Sequence, residues 1–264
     1  MAQKVIAISS FKGGTAKTST ALHLGSALAR FHDKKVLLVD FDAQANLSLG
    51  LGFDPDAHDS AASVLQGTKS INDVILKTCV KGLDLVPADT WLERVELTAP
   101  LAQDRYSHER LKNILRATDY DYIIIDTPPS LCWLTESALI AATHAMICAT
   151  PEFYSIKGLE RLSQFLATIG QRHPLEILGV VLSFWNARGK NNDSFIQVID
   201  RAFPGKCFSS KVRKDVSVSE ATVYGKPIFE IAKMSKQSRA AEDFLTLAKE
   251  VEARLCEKPS KKKK

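Results

Sequence analysis

Short apolar runs alternate along the chain with stretches whose apolar residues recur every three or four positions. The runs are Lys4–Ser9, 35–40, Leu83–Val86, Tyr122–Asp126, His144–Ala149 and 177–184. Several, such as Val5-Ile6-Ala7-Ile8 and Ile123-Ile124-Ile125, contain no polar residue. That is the pattern of parallel strands covered on both faces, because a strand with one wet face alternates. Helical spacing fills the intervals. Residues 17–31 carry Ala21, Leu24, Leu28 and Phe31 on one stripe, and similar stripes run through 90–98, 105–116, 155–170, 191–203 and 239–255. Thr90 with Glu93 three residues on has the form of a capping box. Strands alternating with helices of this length predict right-handed βαβ units. The expected fold is α/β, a single domain with one twisted, mostly parallel sheet and helices on both faces. Residues 50–67, with Pro55 and many small polar residues, read as a long loop. No repeat or interdomain linker is visible.

Composition narrows the setting. The chain has 264 residues, of which 45% are hydrophobic, enough for a sizeable core. No apolar run reaches the roughly 20 residues of a spanning helix. The opening segment MAQKVIAISS leads into Lys12-Gly13-Gly14 and reads as a first strand, not a signal peptide, so a cytoplasmic protein is expected. Five cysteines lie singly, with no close pair to build a disulfide framework or a zinc site, and are expected to be buried free thiols. Charge is uneven. The net charge is +5, yet residues 187–239 hold eleven Lys and Arg against five acids, and the tail KPSKKKK adds five lysines. A basic C-terminal third fits a polyanion partner, and it equally fits a solvated basic face. Residues 258–264 are expected to be disordered.

Chemistry concentrates after the first strand. SSFKGGTAKTST stands between a buried strand and an amphipathic helix, where backbone N–H groups converge on a phosphate. The common spelling G-x-x-x-x-G-K-[ST] is not met, because Phe11 and Ala16 stand where glycines are required. Gly13 and Gly14 let the backbone turn tightly. Lys17 is placed to neutralise phosphate charge and Thr18 to offer a hydroxyl to Mg²⁺. Ala16 adds only a methyl, which is tolerable unless that position needs positive φ. Two later strands end in acids: VLLVDFD in Asp40 and Asp42, expected on the same side of an extended chain, and YIIID in Asp126. Ligands of open α/β sheets collect at such carboxyl ends.

KGGTAKTST, VLLVDFDAQANLSLGLG and YDYIIIDTPPS, in this order, resemble the deviant Walker A ATPases of the MinD/ParA superfamily, and most closely the ParA/Soj branch of partition proteins. DVSVSEATVYGKPIFE and QSRAAEDFLTLAKEV extend the resemblance into the C-terminal third. The resemblance implies a P-loop NTPase fold over residues 1–257, with ATP and Mg²⁺ as cofactors. It implies that Lys12 reaches the phosphates bound by the partner subunit of a nucleotide-sandwich homodimer, and that Lys17 is the P-loop lysine. Asp42 would orient the attacking water, giving Lys12, Lys17 and Asp42 as catalytic residues. Lys12, Gly13, Gly14, Thr15, Ala16, Lys17, Thr18 and Ser19 would line the ATP, and Thr18, Asp40 and Asp126 would hold Mg²⁺. It further implies that the ATP-bound dimer binds double-stranded DNA without sequence specificity through Lys211, Arg213, Lys214, Lys233, Lys236 and Arg239, in a nucleoid-associated protein. A ParB-like partner would stimulate a slow hydrolysis. One departure is Gln237, where the family often has an arginine.

Four alternatives compete. A MinD-like membrane-cycling ATPase would end in a basic amphipathic helix. Residues 239–255 instead carry four acids against three bases, which favours docking on the sheet over a membrane surface. A metallocluster carrier would want a second cysteine beside Cys132. A third class is a metabolic ligase or a bacterial tyrosine kinase of this fold, of which the kinase would want a tyrosine-rich tail where this one is lysine. A non-catalytic adaptor would have no use for Asp42.

Overall fold

The computed structural model describes residues 3–10, 12–98, 107–151, 156–190, 192–231 and 236–256. Among them, eight strands form one sheet: β1 Lys4–Ser9, β2 Val36–Asp40, β3 Leu76–Lys77, β4 Leu83–Val86, β5 Tyr122–Asp126, β6 His144–Ala149, β7 Glu176–Trp185 and β8 Cys207–Arg213. Their order is β3-β4-β2-β5-β1-β6-β7-β8. All pairings are parallel except the short β3, which runs antiparallel on β4 at one edge.

The apolar runs are continuous because alternate residues enter two separate cores. Val5 and Ala7 of β1, Leu37 and Val39 of β2, and Ile123 and Ile125 of β5 face one layer. Ile6 and Ile8, Val36 and Leu38, and Ile124 face the other. The first layer is covered by α3 (Ala61–Leu65), α5 (Trp91–Thr98), α7 (Trp133–Ala141), α8 (Ile156–Arg172) and α9 (Asn192–Ala202). The second is covered by α1 (Lys17–His32), α2 (Asn46–Gly50), α10 (Val216–Val223) and α11 (Arg239–Cys256). Helix α1 lies close on the sheet because of Gly25, where a Cβ would come within 2.7 Å of the Leu38 side chain. The remaining helices, α4 (Ile71–Val74) and α6 (Arg110–Leu115), are short.

Helix α11 is docked. Phe244, Leu247, Ala248, Val251 and Leu255 are all buried in the second core, so the apolar face that a membrane-surface helix would need is occupied by the sheet. Arg254 fixes its far end. Its guanidinium donates to the carbonyls of Leu178, Lys206 and Cys207 and lies 4.0 Å over the Phe208 ring. Among the described residues no helix is long and apolar enough to cross a membrane.

Several local expectations change. The segment 50–67 is not one loop but holds a 3₁₀ turn at Pro55–Ala57 and the buried α3. Asp89, not Thr90, caps α5, its carboxylate accepting from the Trp91 N–H at 3.0 Å. Within the stripe at 105–116 the described residues begin at Ser107, which opens a 3₁₀ turn that leads into α6, and 105–106 lie outside the described residues. All five thiols are free, but only Cys148 is buried, and Cys79 and Cys256 are exposed.

Candidate functional site

The three central strands β2, β5 and β1 deliver their carboxyl ends to one place. β1 ends at Ser9, and the chain passes through 10–16 into α1. Gly14 has φ +72°, the left-handed conformation its missing Cβ allows. Ala16 has φ 62° and ψ 31° immediately before α1. The position that needed to avoid positive φ adopts it, at a cost of about 1–2 kcal/mol for an L-residue. The strain turns the backbone into α1, where Ala16 O accepts both the N–H and the hydroxyl of Thr20.

The two lysines of the loop are in opposite environments. Lys17 is 7% exposed, and its Nζ donates to the Ser10 hydroxyl at 3.2 Å. Lys12 is exposed, with no carboxylate partner among the described residues.

Asp40 and Asp126 are register partners on adjacent strands, so their side chains emerge side by side. Both are buried. Asp40 Oδ2 accepts from the Ser48 N–H (2.8 Å) and the Ser48 hydroxyl (2.7 Å) at α2. The neighbouring Thr18 hydroxyl favours the ionised form of Asp126, yet the Asp126 Oδ1 is buried without a hydrogen-bond partner among the described residues. Burial pushes the Asp126 carboxyl up to about 8, and the neighbouring Asp40 adds to the shift. Burial raises Asp40 to about 6 against the opposing Ser48 bonds. An orphaned, buried carboxylate oxygen beside a threonine hydroxyl is a donor set for a hard divalent cation. Mg²⁺ commonly takes one or two carboxylates and completes its shell with phosphate and water, so no all-protein cage is needed. Asp42 lies just past the end of β2, its N–H donating to Asp40 Oδ1 at 3.4 Å and its charge adding to the rise of both Asp40 and Asp126. Its carboxylate turns back on its own loop, accepting from the Gln44 N–H at 3.0 Å, and borders the cleft.

Beside the loop lies an open cleft of about 570 Å³, which Lys17, Thr18 and Asp42 line, whereas Lys12, Asp40 and Asp126 are not among its lining residues. Residues 13–19 and Asp42 line it, with Leu49 and Gly50 of α2, Pro129, Phe184 and Thr222. Phe184 and Thr222 were not legible as site residues. Phe184 carries an unusual φ of 52° at 37% exposure, but nothing in its local sequence signals this. A second cavity of about 500 Å³ sits at the opposite end of the strands. There Arg30, Lys34 and Lys35 are already paired with Glu230, Glu252 and Asp119.

The basic residues of the C-terminal third divide as well. Lys214, Lys236 and Arg239 are exposed. Lys211 Nζ lies 4.4 Å from the centroid of the Trp185 ring. The Arg213 guanidinium is engaged with Asp243. Lys233 lies outside the described residues.

A family model described as an AAA domain matches residues 3–177. A ParA family protein of Chlamydia muridarum is 64% identical over 250 residues, covering 94% of this chain and 97% of that protein. The chain belongs to the ParA family. A second ParA-family relative, the chromosome partitioning protein ParA of Caulobacter vibrioides, is 36% identical over 258 residues, covering 95% of this chain and 94% of that one. Among solved structures, the septum site-determining protein MinD of Pyrococcus horikoshii, complexed with Mg-ADP, superposes with a TM-score of 0.76. It is 29% identical and covers 94% of this chain and 96% of its own. This ParA-family chain therefore has the P-loop ATPase fold, and its family implies a nucleotide and Mg²⁺ as cofactors.

Proposed function

We propose that the protein is a Mg-ATP-dependent dimerising switch that binds duplex DNA nonspecifically in its ATP form and acts in chromosome or plasmid partition. The observation that carries this reading is the division between the two lysines of one loop. Lys17, buried beneath the loop, serves the phosphates of its own cleft. Lys12 is exposed, with no carboxylate partner among the described residues, as suits a cation supplied to a second subunit's phosphates, the task that an arginine finger performs elsewhere. Residues 13–16 and Ser19 offer the phosphate cradle. Thr18, Asp40 and Asp126 would hold Mg²⁺, which when bound screens phosphate charge and polarises the transferred group. Asp42, at the cleft rim, orients water. Hydrolysis is slow until a ParB-like partner stimulates it.

Lys214, Lys236 and Arg239 supply exposed positive charge for phosphates, which gives affinity without base readout and a steep salt dependence. This surface would make the protein nucleoid-associated. The test is charge reversal. Lys214→Glu or Arg239→Glu should abolish retention on duplex DNA in a gel-shift assay while ATP binding stays at the wild-type level. Normal DNA binding by both variants at moderate salt would overturn the basic-patch assignment.

A further inference from the structure

Arg213 and Lys214 are neighbours in sequence with unlike surroundings. Arg213 Nη2 and Nε donate to Asp243 Oδ1 and Oδ2 at 2.7 and 2.9 Å. Nη2 also donates to the Arg239 carbonyl at 3.2 Å, and the Arg213 backbone N–H to Asp243 Oδ2 at 2.9 Å. On the other side of Lys214, Asp215 repeats the arrangement. Its Oδ1 accepts from the Ser217 N–H and so caps α10. Its Oδ2 accepts from the Ser238 hydroxyl (3.0 Å) and the Ala240 N–H (3.2 Å), the first turn of α11. Two carboxylates thus lock the end of β8 and the start of α10 onto α11. Lys214 stands between the two locks, and Arg239 stands on the turn they grip.

Electrostatics alone gives no reason for acids here, since a negative charge within a phosphate-binding surface weakens it. Burial raises the Asp215 carboxyl, but hydrogen bonds from Ser217, Ala240 and Ser238 outweigh it and hold it at about 2. It therefore stays ionised at any working pH, and its value must be geometric.

We propose that Arg213 is not a phosphate contact, and that Arg213, Asp215 and Asp243 are positioning residues, a clamp that sets the spacing of Lys214 and Arg239 for duplex phosphates. The inference rests on the DNA-binding reading above and goes beyond it by reversing the role of one base and giving two acids a role in binding. A clamp and a simple charged patch differ in sign. Asp215→Ala makes the surface more positive, so a charged patch should bind DNA more tightly, whereas an unclamped one should bind less tightly. Arg213→Lys keeps the charge but loses the two-pronged contact, so a phosphate contact would survive it and a clamp would not.

The experiment is fluorescence anisotropy of the full chain with ATP and a random-sequence duplex across a salt series, with a fluorescent ATP analogue confirming an intact nucleotide site in each variant. Asp215→Ala and Arg213→Lys are each expected to weaken DNA binding by about tenfold or more. Each should flatten the log–log salt dependence by about one phosphate contact, as a lost Lys or Arg contact does. Asp215→Asn, which keeps the α10 cap, should recover part of the loss. Asp215→Ala at or above wild-type affinity, or Arg213→Lys indistinguishable from wild type, overturns the clamp while leaving the DNA reading intact. Should Asp215→Ala fail to fold, Arg213→Lys decides alone. A wild-type protein that binds no duplex with ATP overturns both.

Discussion

The acids at the carboxyl ends of β2 and β5 and the acids that hold α11 are the same residue types pushed in opposite directions. Asp126 is raised to about 8 and Asp40 to about 6 because burial outweighs their few donors. Asp215 is held at about 2, and Glu250 below its ordinary value, because donors outweigh burial. Glu250 accepts from the N–H groups of Ser209 and Ser210 and from the Ser210 hydroxyl, closing the backbone of the edge strand β8. An acid whose hydrogen-bonding capacity is filled by the chain is architecture. A buried acid with an orphaned oxygen is a site, since a lone buried polar group costs stability unless a ligand satisfies it.

The sharpest break in this comparison comes from the loop lysines. Lys17→Ala and Lys12→Ala should each lower ATP turnover by about 10³-fold or more, as loss of a finger-type cation does, measured by phosphate release. Lys12→Ala should also lose ATP-dependent dimerisation on size exclusion. Turnover of Lys12→Ala near the wild-type rate would remove the two-subunit site.

Asp126→Asn is next, and it should move stability and activity in opposite directions. The native carboxyl keeps its proton up to about pH 8, whereas its ordinary value is 3.8. The folded state therefore holds the extra proton between those values, and the stability of the metal-free wild type declines as pH rises from about 4 to about 8. Replacing the acid should raise the melting temperature at pH 8 by several degrees, roughly 2 kcal/mol for an orphaned group, with a smaller gain at pH 5. Stabilisation by Mg²⁺ with nucleotide should disappear. Equal melting curves at both pH values would show that Asp126 is not strained.

The smallest effect belongs to Ala16→Gly. Relief of the left-handed strain, partly offset by the greater freedom of glycine in the unfolded chain, should add about 0.5–1 kcal/mol, or roughly 1–4 °C. An unchanged or lower melting temperature would argue that the loop relaxes out of positive φ.

What was legible in the sequence follows from which forces are local. The β1–loop–α1 unit was readable because Val5–Ile8 and the Ala21-Leu24-Leu28 stripe state their periods within a few residues. The acids at 40 and 126 were readable as strand ends. Their convergence was implied only by the family resemblance and could not be read from the residues, because it depends on β2 pairing with β5, which sets Asp40 opposite Asp126. Strand β8, CFSSKVR, escaped notice because its polar residues fit an edge. Its amides are satisfied by Asp243 and Glu250, roughly thirty to forty residues away. Helix α7 was missed because Pro128-Pro129 reads as a breaker, although the helix begins only at Trp133. The resemblance places Arg213 among the phosphate-binding bases, and its pairing with Asp243 was not legible because neither a motif nor a count of charge reveals which charges are engaged inside the chain.

The proposed switch requires that nucleotide state govern the basic surface. Its most direct test is the wild-type protein on random-sequence duplex with Mg²⁺ and ATP, with ADP, and with no nucleotide, in a gel-shift assay at moderate salt. Retention with ATP alone is the predicted result, and equal retention in all three conditions would contradict it.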